Sequence, residues 1–77
     1  MNMTINRYRL AQNLYHTMIR KDLTAAEVAR RTGLNRQTIY ESIDGRRLGN
    51  LETFLLIANA IGADYNTLLE GVVRKGA

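Results

Sequence analysis

From Asn35 to Arg47 the sequence reads NRQTIYESIDGRR, which sets Arg36, Gln37, Tyr40 and Glu41 along one short stretch. At about 100° per helical residue, Ile39, Ser42 and Ile43 share one side, Gln37, Glu41 and Asp44 fall opposite, and Tyr40 lies on the flank. Arg36 belongs to the first turn and projects beyond the core contact. Long donors and acceptors gathered in this way suit hydrogen-bond recognition. The plainer alternative is a solvated face with ordinary pairing at helical spacing. Covalent chemistry has no candidates. His16 is the single histidine and lacks an obvious acid–base partner, and Asp22, Asp44 and Asp64 are spaced as capping or turn residues. There is no glycine-rich phosphate loop and no cysteine, hence no thiolate metal site. The expectation is a protein that is not an enzyme, with no catalytic residue, no metal and no cofactor.

Composition narrows the field further. A chain of 77 residues allows one domain, spanning 1–77, and folding at this size removes only about 60% of its surface from water. A deep enzymatic cleft is therefore not expected. Eleven Lys and Arg against seven Asp and Glu give a net charge of +4. Such a balance favours a polyanionic partner, nucleic acid first. No run of roughly 18 apolar residues is present, and the N-terminus lacks a signal-peptide core. With the missing cysteines, these features suggest a soluble, cytoplasmic protein without a membrane partner.

A 3.6-residue apolar period, broken by short polar or glycine punctuation, predicts an all-α chain of five helices, at about 5–19, 25–32, 36–43, 51–61 and 65–70. Leu10, Leu14 and Met18 form the stripe of the first, which Thr4 or Asn6 would cap. Thr24 and Glu27 form a capping box at the second. Gly33 suits its left-handed C-cap, and Asn35 caps the third. Asn50 and Asp64 cap the last two. The fourth helix is apolar nearly all round, from Leu51 to Ile61, which predicts a central buried element. Residues 72–77 read as a basic tail.

Two short helices joined by a glycine-led turn make a helix-turn-helix. Val28, Ala29, Gly33, Leu34, Ile39 and Ile43 are its expected structural residues. Ala29 stays small where the helices cross, Gly33 adopts positive φ, and Ile39 holds the third helix on the core. A structural αα-hairpin is the competing reading. From Leu23 to Gly71 the chain resembles the lambda-repressor-like, Cro-type helix-turn-helix family, most clearly in LTAAEVARRTGLNRQTIYESIDGRR and LETFLLIANAIGADYNTLL. The sequence departs from that pattern at three places. Ala25 stands where the family commonly has a phosphate-anchoring glutamine, Ser42 stands where an apolar residue is expected, and the turn before Leu23 lacks its usual glycine.

The resemblance implies a five-helix domain that inserts its third helix into the DNA major groove. Arg36, Gln37, Tyr40 and Glu41 are then the base-contact candidates, and Asn35, Arg46 and Arg47 the backbone-contact candidates. A single module reads few base pairs, so a homodimer is expected, at least on a double-stranded operator. Leu56, Tyr65, Leu68, Leu69, Val72 and Val73 supply the candidate interface, although most of them would equally close a small core. The role expected is that of a small transcriptional repressor, regulated through concentration or a protein antagonist. The alternative is a protein-interaction module such as an antitoxin with a toxin partner. The location of charge discriminates the two. Arginines beside the third helix favour DNA; neutralising acids with a widely exposed apolar surface favour protein.

Overall fold

The structure, a computed structural model, describes residues 3–45 and 51–75. It contains the five helices expected: α1 (Arg7–Arg20), α2 (Ala25–Thr32), α3 (Arg36–Asp44), α4 (Leu51–Ala60) and α5 (Tyr65–Leu68). Two short strands join them, β1 (Met3–Ile5) and β2 (Val73–Lys75). They pair antiparallel, with Met3 opposite Lys75 and Ile5 opposite Val73.

The strands shift the start of α1. Ile5 belongs to β1, so the helix begins at Arg7 instead of near Ile5. The Asn6 amide donates to the Val72 carbonyl at 2.7 Å, while the Asn6 side chain accepts from the Arg9 amide at 2.9 Å and caps the helix. At the other end, Gly71 takes φ +74° and turns the chain back into β2. Residues 73–75, expected as part of a tail, therefore form half of a small sheet.

Each helix contributes an apolar stripe to one core: Leu14 and Met18 from α1, Val28 from α2, Ile39 from α3, Phe54, Ile57 and Ala58 from α4, and Leu68 from α5, with Ile61 beside them. Burying side chains of this size contributes about 1.5–3 kcal/mol each. The fourth helix corrects an expectation. Only Phe54, Ile57 and Ala58 within it are buried, whereas Leu51, Leu55 and Leu56 are exposed. Phe54, Ile57 and Ala58 turn toward the core, and the apolar residues on the rest of the circumference stay outside it among the described residues.

Polar side chains tie the helix ends together. Asn13 donates to the carbonyls of Leu68 and Glu70, at 2.8 and 2.9 Å. Lys21 donates to Gly62 at 2.8 Å, and Arg31 to Ala60 at 3.2 Å. The carbonyls at a helix C-terminus lack intrahelical donors, and these contacts satisfy several of them while fixing α1 against α5 and α2 against α4. The turn before Leu23 resolves its missing glycine through Asp22, which adopts φ +58°. Asp and Asn tolerate that region better than other side-chain-bearing residues.

The connection between α2 and α3 is the tightest part of the fold. Gly33 adopts φ +78°, and its amide donates to Ala29 at 2.9 Å. The Thr32 hydroxyl donates to Val28 at 2.8 Å and accepts from the Leu34 amide at 3.1 Å. At the start of α2, Thr24 accepts from the Glu27 amide at 3.2 Å. Glu27 does not complete the capping box. Its carboxylate turns forward instead, to Arg30 and Arg31.

A Cβ added at Gly33 would meet nothing within 4 Å, so only the backbone conformation demands glycine there. Gly33→Val should lower stability by about 1–2 kcal/mol, the cost of a left-handed conformation, without abolishing folding. A thermal melt checks this, since about 1 kcal/mol moves Tm by roughly 4–8 °C in a domain of this size. An unchanged Tm would show that the turn does not need φ > 0.

Candidate nucleic-acid interface

The turn decides which side of α3 meets water. Ile39 is 0% exposed and Ser42 2%, and Ile43 packs half-buried against the core. Burying Ser42, where an apolar residue was expected, leaves no polar group unpaired: its hydroxyl donates to the Thr38 carbonyl at 2.9 Å. Arg36, Gln37, Tyr40 and Asp44 are consequently exposed, and Glu41 is half-buried between the two sides. Of the remaining turn residues, Val28 is buried and Ala29 and Leu34 are half-buried.

The exposed groups are not equivalent. Arg36 has no hydrogen-bond or ion-pair partner among the described residues, so its guanidinium is available to a ligand. Gln37 is engaged: its Nε2 donates to Glu41 Oε1 at 3.2 Å. Asn35 is turned toward its own helix. Its Oδ1 accepts from the Thr38 amide at 2.8 Å and from the Thr38 hydroxyl at 3.0 Å. The side-chain amide nitrogen is what it retains for an outside acceptor.

Beside this face runs an open groove of about 330 Å³, lined by Tyr15 from α1 and by Tyr40, Ile43 and Asp44 from α3. Tyr8, one further stretch back along α1, lies over the C-cap of α3, where a Cβ on Gly45 would come within 2.9 Å of its ring. Neither tyrosine of α1 emerged as a site candidate from the sequence. Their approach to α3 depends on how the two helices cross, for which no local signal exists.

The arginines of α2 are engaged within the domain. Arg30 bonds both oxygens of Glu27, at 2.5 and 2.6 Å, and Arg31 reaches one of them at 3.3 Å. The Arg30 hydrogen bond is the main cause that holds the Glu27 carboxyl below the ordinary carboxylate range, with Arg31 adding to it. The same pairing raises the Arg30 pKa. Ala25 at the start of α2 is half-buried and offers no donor where the family pattern has glutamine. Arg46, Arg47 and Asn50 lie outside the described residues.

The candidate interface residues divide. Leu56, Tyr65, Leu69 and Val73 are exposed, but Leu68 (0%) and Val72 (2%) are buried within the chain's own core. Leu68 closes α5 onto α1, and Val72 sits at the turn that accepts the Asn6 amide. Neither is available to a second chain. Leu51, Leu55 and Ile5 are exposed instead. Among the described residues no helix is long and apolar enough to cross a membrane, and no group of three His, Cys, Asp or Glu side chains is placed to hold a metal.

The two hydrogen bonds to Asn35 Oδ1 make it the anchor of the α3 N-terminus. Asn35→Ala should destabilise the domain by about 1 kcal/mol, whereas Asn35→Asp, which keeps an acceptor, should stay near the parent. Urea denaturation of the two variants measures the difference. Equal midpoints for Ala and parent would mean that the cap contributes nothing.

The chain matches no protein-family model and no curated protein. Among solved structures it is similar to the restriction-modification controller protein C.AhdI from Aeromonas hydrophila. The TM-score is 0.71 at 24% identity, and the alignment covers 80% of this chain and 94% of that one. The fold is therefore that of the controller protein, and α2 and α3, joined by the turn at Gly33, form its helix-turn-helix.

Proposed function

We propose that the chain, as one domain spanning residues 1–77, is a sequence-specific double-stranded DNA-binding transcriptional regulator. It acts as a small repressor in the cytoplasm, with no catalytic step. The observation that carries this reading is Arg36, a guanidinium without a partner among the described residues, on the exposed first turn of a helix that Ile39 pins to the core. A recognition helix presents its N-terminal residues to base edges. Arginine can grip guanine O6 and N7 together, and glutamine can do the same for adenine N6 and N7. Arg36 and Gln37 are the leading readers, and Tyr40 and Glu41 complete the face behind them. Asn35, Arg46, Arg47 and the amides at the start of α3 position the backbone without specifying sequence. The net charge of +4 supports attraction to a polyanion, and the fold's likeness to a controller protein agrees with a regulatory role.

The functional unit is a homodimer on DNA, its half-sites about one helical turn, ~34 Å, apart. The exposed Leu56, Tyr65, Leu69 and Val73 provide the surface for it. The same exposed apolar residues, with the acidic Glu41 and Asp44 on the same helix as Arg36, are what favours the second reading, a module that grips another protein such as a toxin or antagonist.

Selection from a random duplex library at roughly physiological ionic strength, ~0.15 M, tests the proposal. A palindromic motif supports the dimeric regulator; absence of any binding redirects the search to a protein partner. Gln37→Ala should cost about 1–3 kcal/mol of operator binding and relax preference at one base pair. An equal loss on every sequence would remove Gln37 from the readers. Arg46→Ala should weaken all sequences alike and reduce the salt slope by about one unit; an unchanged slope would remove Arg46 from the phosphate contacts.

A further inference from the structure

We propose that Glu41 acts on DNA through Gln37, as a positioning residue that selects which end of the Gln37 amide faces the bases. The proposal rests on the reading of α3 as the DNA-reading helix. Gln37 and Glu41 stand one helical turn apart, and the amide nitrogen donates to the carboxylate at 3.2 Å. The direction of that bond follows from chemistry. An ionised carboxylate only accepts, while the two ends of a glutamine amide differ: the nitrogen donates and the oxygen accepts. Facing Glu41, the amide must therefore offer its nitrogen, and a half-turn about its terminal torsion would set two acceptors against each other.

The consequence lies at the tip of the side chain. With the nitrogen held on the Glu41 side, the carbonyl oxygen and the second N–H are presented in one order. An amide without that tether presents either order. Adenine offers an N6 donor beside an N7 acceptor in the major groove, so the order of the partner's groups decides whether a bidentate contact forms. Burial agrees with this division of labour. Gln37 is exposed and Glu41 is half-buried behind it, so the glutamine reaches furthest and the glutamate backs it. A direct Glu41 contact would also bring an anion toward the phosphate-rich groove, where Coulomb repulsion opposes it.

The test is a double-mutant cycle on the operator recovered by library selection, with each base pair replaced in turn. Wild type, Gln37→Ala, Glu41→Ala and the double variant are compared by binding titration, and thermal melts verify that all four fold. Glu41→Ala should reduce discrimination at the base pair that Gln37→Ala affects, by roughly 5-fold or more, the lower range for one bidentate contact. The double variant should be no less selective there than Gln37→Ala alone. Glu41→Gln should recover part of the loss, because its carbonyl still accepts but its nitrogen permits the reversed pairing. A Glu41→Ala effect at a different base pair, additive with Gln37→Ala, would overturn the proposal and make Glu41 a reader in its own right. Unchanged discrimination at every position would reduce the pair to ordinary helical surface. A wild-type chain that selects no motif would instead overturn the reading of α3, and the positioning role with it.

Discussion

Gly33, Leu34 and Asn35 are all the chain has to redirect itself from α2 into α3, and the placement of every exposed group on α3 depends on that connection. A turn so short cannot be made without a left-handed residue, which Gly33 supplies. It also leaves the first amides of α3 without partners, and Asn35 satisfies one of them from its side chain. Once the angle between the helices is set, Ile39 reaches the core beside Val28 and Leu14. The rotation of α3 about its axis is then no longer free. Arg36, Gln37 and Tyr40 face water because Ile39 and Ser42 do not.

The rest of the molecule holds that arrangement with little material. Its core is small, and part of its organisation comes from polar side chains that reach the carbonyl ends of distant helices. Asn13, Lys21 and Arg31 each make such a contact. Individually a hydrogen bond contributes about 0.5–1.5 kcal/mol net, less than a buried leucine. Their value is directional, since a carbonyl accepts from a limited cone and apolar packing is indifferent to small rotations. The β1–β2 pairing closes the same framework from the two ends of the chain and places Val72 inside it.

The two sides of the domain then differ in chemical character. On α3 the outward groups are polar, with Gln37 hydrogen-bonded to Glu41 and Arg36 without a partner among the described residues. On α4, at the C-cap of α5 and on β2, Leu55, Leu56, Leu69 and Val73 are exposed apolar residues. Exposed apolar residues of this kind suit a second copy of the chain or another protein equally, and burial of Leu68 and Val72 reduces their number without removing them.

The five helices were legible because each carries its own apolar period and its own stop signals. Thr24, Asn35 and Asp64 cap where their types and positions said they would, and Gly33 takes the left-handed conformation that only glycine adopts freely. The inward side of α3 followed from the same periodicity, through Ile39. What the sequence could not express were the relations between distant segments. β1 and β2 are three residues each and pair across almost the whole chain, so neither has a local pattern long enough to announce a strand. Leu51, Leu55 and Leu56 have the same residue types as the core, and only the arrangement of the neighbouring helices left them outside. Glu27 had two competing uses, a backbone amide behind it or two arginines ahead, and it pairs forward, where Arg30 engages both carboxylate oxygens and Arg31 adds a second cation. The sequence by itself determined that there are five helices, where most of their caps lie and which residue types each offers; tertiary structure decided where the strands displace a helix start, which apolar residues stay exposed and which polar groups meet, because burial and pairing depend on contacts between residues far apart along the chain.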